Sequence, residues 1–594
     1  MYLVLIETSG NQNYIFSTNK LKENIGASEL TYRAGTTWVL EAVEKVRGAL
    51  ESIDEIGKSV KEVINNTISA NDLRQKLQDE KEIELVNTET EVEIIIATSG
   101  KALLLTKKKE TAKSIIRYVT HKATKYAPGL DICGVISEDF EWGNGLSQAI
   151  NEIYKKYEEY RSYKPSLHLR FLRLPMIDEC ATSGLPATDV DTKTADGKPV
   201  VKSSVSFSKR RYGEIGRKRI ENILKEYDKN FSFSHSIRAL NEEEFAEDTD
   251  ENEQSKKLDW LAVIHADGNG LGEIFLKFKE HIKNVIDSNK NQEVDRIYVN
   301  YLRKFSIAID ICNEKAFKAS LEAFSKSKNG LLPIIPLVLG GDDLTVVCDG
   351  KIALRFTQLF LNAFEKETHK NQIISEIAQE ALKVPRLSAC AGIAIIKPKF
   401  PFSVAYELAE NLMQSAKDVK KKVTHPETGK PYPCSALDFH ILYDSSSVDF
   451  RSIRDKIEKK EENIVIQKLH NRPYVITSED DIKEAKGLEW AKFHQLSKLE
   501  AKIKVLLAKD ENDGGKRKLP NSQMHDLKAG LFLGKKVADA RYLLVRDRYQ
   551  KQNITTLGGS ANSLFEQEPD SGMYITGLLD AIDAAEFFNV EDEK

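Results

Sequence analysis

Apolar residues along the chain fall into short runs separated by polar turns, and the runs predict most of the elements. Residues 2–6 (YLVLI) are an unbroken apolar stretch of strand length. A polar, helix-like stretch follows over 12–33, and 35–51 carries apolar residues at helical spacing. Residues 93–97 (EIIIA) and 102–106 (ALLLT) flank Thr98-Ser99-Gly100-Lys101, the composition of a tight hairpin turn. Helical spacing returns at 111–125, a strand at 130–136 and a second helix at 145–161. The order β-α-β-β-α-β predicts a ferredoxin-like domain.

The same order recurs. A strand at 258–265 (LDWLAVIH) precedes helical stretches at 271–280 and 298–325. Apolar runs at 334–339 and 344–348 flank Gly340-Gly341-Asp342-Asp343, and a helix (351–368), a strand (387–396) and a helix (404–423) complete the set. The fold class expected is α+β, with two tandem ferredoxin-like domains at 1–165 and 258–445. Between them, 166–257 reads as an irregular middle segment. It holds Ser/Thr/Asp/Gly-rich chain at 182–208 and an acidic run at 242–253 that predicts a solvated linker. The remainder, 446–594, predicts a helical C-terminal domain with helices at 449–470, 479–508, 529–549 and 575–588, and an exposed loop at 509–518.

Composition narrows the classes. The 594 residues are 41% hydrophobic and 30% charged, which excludes a fibrous or wholly disordered chain. Net charge is 87 − 91 = −4, so any RNA or nucleotide contact must come from local patches. Six scattered cysteines, none in a CxxC pair, fit a reducing, cytoplasmic setting better than a disulfide framework. The first apolar run meets Glu7 too soon for a signal peptide, and no run of about 18 apolar residues predicts a membrane span.

The chemistry concentrates at two strand ends. Asp267 closes the strand in Ala262-Val-Ile-His-Ala-Asp267-Gly268-Asn269-Gly270-Leu-Gly272, and Asp342 and Asp343 occupy a hairpin tip 342 − 267 = 75 positions later. In a ferredoxin-like sheet those strands are neighbours, so the three carboxylates should converge. Crowded carboxylates repel unless a cation sits among them, and Mg²⁺ or Mn²⁺ in a two-ion site suits phosphoryl-type displacement. Gly340 and Gly341 admit positive φ and close approach of a nucleotide. Gly268, Asn269 and Gly270 form a turn that can wrap phosphates at a helix start. Taken alone, Gly-Gly-Asp-Asp would also suit a plain hairpin turn.

Lys417 and Lys421, four apart on the helix after 387–396, are candidates for holding a triphosphate. The cluster Lys209-Arg210-Arg211 with Arg217-Lys218-Arg219, and Tyr212 between, is the best local patch for nucleic acid, although a solvated helix or loop face is the plainer reading. His265 reads as a core histidine, and Asp438-Phe439-His440 as packing at a sheet edge.

Gly340-Gly-Asp-Asp343, the Asp267-Gly-Asn-Gly turn and Ala409-Glu410…Ala416-Lys417 together resemble the palm of polymerase/cyclase-type proteins. The match resembles most the large palm-containing subunit of type III CRISPR effector complexes, and more distantly diguanylate cyclases. Glu7-Thr-Ser9-Gly10 through Phe16, with 20–28, resembles the first, degenerate palm of that subunit. The stretch from Leu174-Pro175 to Cys180-Ala-Thr-Ser183 resembles its zinc-binding segment. The resemblance implies joining of ATP through 3′–5′ linkages into cyclic oligoadenylate. It implies guide RNA, other effector subunits and target-RNA activation as partners. Asp267, Asp342 and Asp343 would then be catalytic and metal-binding, and Ser9 and Gly10 would touch a second nucleotide. Departures qualify it. Ser183 stands where a second cysteine would sit, so no zinc is expected. The first palm begins at residue 1, so no nuclease domain or DNA cleavage is expected. A non-catalytic scaffold subunit and a stand-alone cyclic-dinucleotide cyclase remain the alternatives.

Overall fold

The computed structural model describes residues 1–48, 62–63, 70–78, 92–165, 167–192, 198–225, 232–233, 259–289, 292–324, 331–443, 449–461, 464–510, 516–549, 553–569 and 571–588. The acidic run at 242–253 and the centre of the 509–518 loop lie outside them.

Strict alternation builds the first sheet. Along β1 (Tyr2–Ser9), Leu3 and Leu5 turn to one face and Val4 and Ile6 to the other, all four inaccessible to solvent. Helices α1 (Asn11–Phe16), α2 (Leu21–Gly35), α3 (Thr37–Val46) and α4 (Ala70–Gln78) precede the hairpin β2 (Val92–Thr98) and β3 (Lys101–Thr106). Then come α5 (Lys109–Tyr126), β4 (Asp131–Ile136) and α6 (Leu146–Ser162). The antiparallel order β2-β3-β1-β4 is that of a ferredoxin-like sheet.

After a middle helix α7 (Ser204–Lys225), the plan repeats with β5 (Leu261–Gly268), α8 (Leu271–Leu276) and the long α9 (Val294–Ser320). The hairpin β6 (Ile334–Gly340) and β7 (Asp343–Asp349) leads to α10 (Ala353–Lys370), α11 (Gln372–Leu382), β8 (Ala389–Ile396) and α12 (Phe402–Ala416). Its order is β6-β7-β5-β8, extended by β9 (Ala436–Ile441) parallel to β8 and by the short strand Tyr474–Val475.

The two sheets share one core. Leu3, Leu5 and Ile153 belong to the same buried cluster as Ile264, Phe305 and Ile309. Charge pins the contact as well. Glu93 on β2 is fully buried, yet it receives Arg296 at 2.7 Å and Arg303 at 2.6 Å from α9, and Arg303 Nε also donates to the Ile94 carbonyl at 3.1 Å. A carboxylate so placed is tolerable only with such partners.

Two expectations fail here. The middle segment is not simply irregular, because α7 crosses α2 closely enough that a Cβ on Gly26 would meet the Lys209 carbonyl at 1.7 Å. Its basic cluster is therefore no exposed patch. Lys209 and Tyr212 are buried, Lys209 Nζ donates to the Tyr14 carbonyl and to Ser17 Oγ, and Arg219 pairs with Glu29 at 2.7 Å. The helix expected over 449–470 stops at Ile457, and the β-branched run Ile464-Val465-Ile466 pairs in a hairpin with Glu458–Glu461. The C-terminal region thus combines helices with a small four-stranded sheet. Among the described residues, no helix is long and apolar enough to cross a membrane.

Candidate functional site

Three carboxylates meet where β5 ends beside the β6–β7 turn. Asp267 pairs in register with Cys390 of β8, while Gly340 and Asp343 close the hairpin. Asp267, Asp342 and Asp343 each offer an oxygen, and these oxygens lie within 4.8 Å of one another. Gly341 takes φ 61°, a left-handed conformation suited to glycine, and its N–H donates to Asp310 Oδ1 at 2.8 Å. Gly268 leaves room for a neighbour, since a Cβ there would come within 2.7 Å of Asp342 Oδ2. Lys417, which caps α12, donates from Nζ to Asp267 Oδ2.

Electrostatics follow from this crowding. Burial, then the Asp267 charge, pushes Asp342 up to about 7. Burial and the Asp342 and Asp267 charges hold Asp343 well above the usual carboxylate range. Burial alone would raise Asp267 too, but hydrogen bonds from Asp343 and Lys417, with the Lys417 charge, keep it below its ordinary value. The cluster therefore holds protons at neutral pH unless a cation replaces them. An all-oxygen donor set of three converging carboxylates, open on the Asp343 side, fits a hard divalent ion.

Residues 260–424, which carry all of this geometry, match the family model described as Cas10/Cmr2, second palm domain. The second sheet domain is a Cas10/Cmr2-type palm, and the chain is Cas10-like. No curated protein matches the chain. Among solved structures, it is similar to the Csm1–Csm4 cassette in complex with cA4, at 12% identity over 71% of this chain and 54% of that one, with a TM-score of 0.36. The type III-B Cmr-beta complex in the apo state is similar at 10% identity over 99% of this chain and 81% of that one, with a TM-score of 0.45. The chain thus spans 54% of the Csm1–Csm4 chain it resembles.

The first palm repeats the geometry with different chemistry. Glu7 pairs with Cys133 as Asp267 does with Cys390, and Lys101 closes the β2–β3 hairpin as Asp343 closes β6–β7. There Lys101 Nζ lies 3.3 Å from Glu7 and 4.5 Å from the Tyr154 ring. The two turns face each other, and a Cβ on Gly340 would stand 3.8 Å from that of Ser99. A cavity opens between the palms, lined by Lys101 and Tyr154 on one side and by Phe275, Tyr298 and Leu302 on the other. Gly341 and Asp342 lie at its wall.

Other expected site residues distribute unevenly. Lys421 is not a companion of Lys417. The helix breaks after Ala416, and Lys421 points to solvent, paired with Asp418 at 2.7 Å. Lys420 turns inward instead, and burial together with the Lys417 charge lowers its pKa. Asn269 faces away from any phosphate path. Its amide donates to Ser388 Oγ at 3.0 Å, Cys390 Sγ at 3.3 Å and the Cys434 carbonyl at 3.4 Å, tying the turn to β8. Gly270 supplies a left-handed step with φ 78° at the start of α8. Ser9 ends β1, and Gly10, also left-handed, opens α1, which packs on α12 through Phe16 stacked on Tyr406 at 3.7 Å. Cys180 contacts Thr182 Oγ1 at 3.3 Å, and Ser183 bonds Ser203 at 2.9 Å in a network of hydroxyls.

His265 is buried against Thr345 at 3.0 Å, and burial lowers its pKa to about 4. Asp438 is buried and paired with Arg454. Sequence reading passed over Asp310 and Arg74. Asp310 holds the catalytic-type turn through Gly341, and Arg74 fixes Asp310 at 2.5 Å and Glu314 at 2.6 Å. Asp310 sits mid-helix, and Arg74 lies more than 200 residues earlier, so no local pattern marks either.

Proposed function

We propose that the chain is a metal-dependent nucleotidyltransferase. It joins ATP through 3′–5′ linkages into cyclic oligoadenylate and works as the large subunit of a type III CRISPR effector complex. The observation that carries this reading is the convergence of Asp267, Asp342 and Asp343 inside a palm of the Cas10/Cmr2 type. The oligoadenylate product, the guide RNA and the partner subunits are carried over from the family resemblance.

Asp267, Asp342 and Asp343 would hold Mg²⁺ or Mn²⁺. When bound, the ions neutralise charge on the attacking and leaving oxygens of an in-line displacement. Lys417 supplies a fixed ammonium beside them, released from Asp267 toward the polyphosphate once a cation takes its place. The cavity between the palms takes a base against Tyr298 and Phe275, with Gly341 and Asp342 at the reacting end. In this reading the first palm presents the partner nucleotide, with Ser9 and Gly10 as its contacts, while Lys101 and Glu7 neutralise each other and bind no ion.

The test is pyrophosphate release from ATP with Mn²⁺, with guide-loaded partner subunits and target RNA present. Release that is lost in Asp342→Ala/Asp343→Ala supports the reading, and equal release from both proteins overturns it.

A further inference from the structure

On the far side of the Asp267–Gly270 turn from the inter-palm cavity lies a second cavity. Asn269, Ile274, Ser388, Lys420, Lys430 and Tyr432 are among the residues that line it. Asn269 is more than nine-tenths buried. Its amide nitrogen is committed to three acceptors, of which the Cys434 carbonyl fixes which way the amide points. Its Oδ1 is left with no partner. A buried acceptor with nothing donating to it costs about 1–3 kcal/mol, so a ligand that donates there binds with that penalty relieved.

The rest of the lining defines the ligand. Tyr432 is 8% exposed and, with Ile274, Leu382 and Pro433, gives flat apolar walls. Lys420 and Lys430 stand at the cavity without an ion-pair partner among the described residues. The Lys430 charge also reaches His281, another lining residue. An acceptor in the floor, apolar walls and two ammonium groups together match a nucleotide. Its base has an N–H donor, and its phosphate is an anion.

We propose that this cavity is a second nucleotide subsite, separate from the carboxylate cluster. The amine of an adenine-type base would donate to Asn269 Oδ1, and the phosphate would lie between Lys420 and Lys430. No covalent step is involved. The subsite does not depend on the catalytic reading, because it uses none of the three carboxylates.

Calorimetric titration of AMP into the full chain, with EDTA present to silence metal-dependent phosphate binding, tests it. The expected result is saturable binding that persists in Asp342→Ala/Asp343→Ala. It should weaken about tenfold or more in Lys430→Glu, an exposed position whose change leaves the fold intact, a loss of about 1.4 kcal/mol. Purine riboside 5′-monophosphate, which lacks the exocyclic amine, should bind the unaltered protein about tenfold more weakly than AMP, again about 1.4 kcal/mol. No AMP binding, equal binding by Lys430→Glu, or equal affinity for the two nucleotides would overturn the subsite. Pyrophosphate release reports on the catalytic reading separately, so the two failures are distinguishable.

Discussion

Lys101 lies 3.3 Å from Glu7, at the place in the first palm where the second palm sets Asp343 near Asp267. One palm carries its own cation as an ammonium, whereas the other presents carboxylates that need one. Lys101→Met is expected to leave Mn²⁺ stoichiometry unchanged in a calorimetric titration. Both side chains are partly exposed, so the stability loss should stay within about 1 kcal/mol. A change in the number of ions bound would show that the first palm shares in metal binding.

Gly268→Ala should separate stability from chemistry. A Cβ at that position would come within 2.7 Å of Asp342 Oδ2, the movable end of a side chain, so the fold yields little while the carboxylate is displaced. Nucleotidyl transfer should fall about a hundredfold, with Tm nearly unchanged. Retained activity would mean that Asp342 does not act from the position seen here.

Asp310 joins the Gly341 N–H to Arg74, and Asp310→Ala frees both. The expected outcome is a fall in kcat of about tenfold or more, with KM for ATP altered far less, since the turn loses its anchor while the base cavity keeps its walls. Single-turnover kinetics would read the split.

Glu93→Gln should be the most damaging substitution between the palms. It leaves Arg296 and Arg303 buried without their carboxylate, and breaking a buried pair costs about 3–5 kcal/mol. Thermal unfolding of the variant should begin well below that of the unaltered chain.

Lys209 gives a pH dependence. Burial lowers its pKa from 10.5 to about 8. A group depressed on folding contributes stability above its unfolded value, and that contribution is lost as pH falls toward the folded one. Relative to Lys209→Met, the unaltered protein should therefore gain Tm as pH rises from 8 to 10.5 and show a constant difference below 8. A flat difference across that window would contradict the burial of this amine.

Much of the second palm was legible because its chemistry sits where strong patterns end. Asp267 follows a wholly apolar strand, and Gly-Gly-Asp-Asp interrupts two more, so period and punctuation agree. α7 was not legible because its buried face includes Lys209, Tyr212, Gly213 and Gly216, residues that a hydrophobicity pattern assigns to solvent. The same blindness hid the role of Asn269, whose buried amide looks like one more turn residue. Lys421 misled for a different reason. Its spacing from Lys417 implies a shared face only if the helix continues, and it stops at Ala416.

The most direct test of the central claim is mass spectrometry of the products formed from ATP with Mn²⁺ or Mg²⁺. The chain should be assayed alone and with guide-loaded partner subunits and target RNA, beside Asp342→Ala/Asp343→Ala. Cyclic adenylates with 3′–5′ linkages from the unaltered protein, and none from the variant, are the expected result. No adenylate product from the unaltered protein under either condition would contradict the assignment of the second palm as a cyclase.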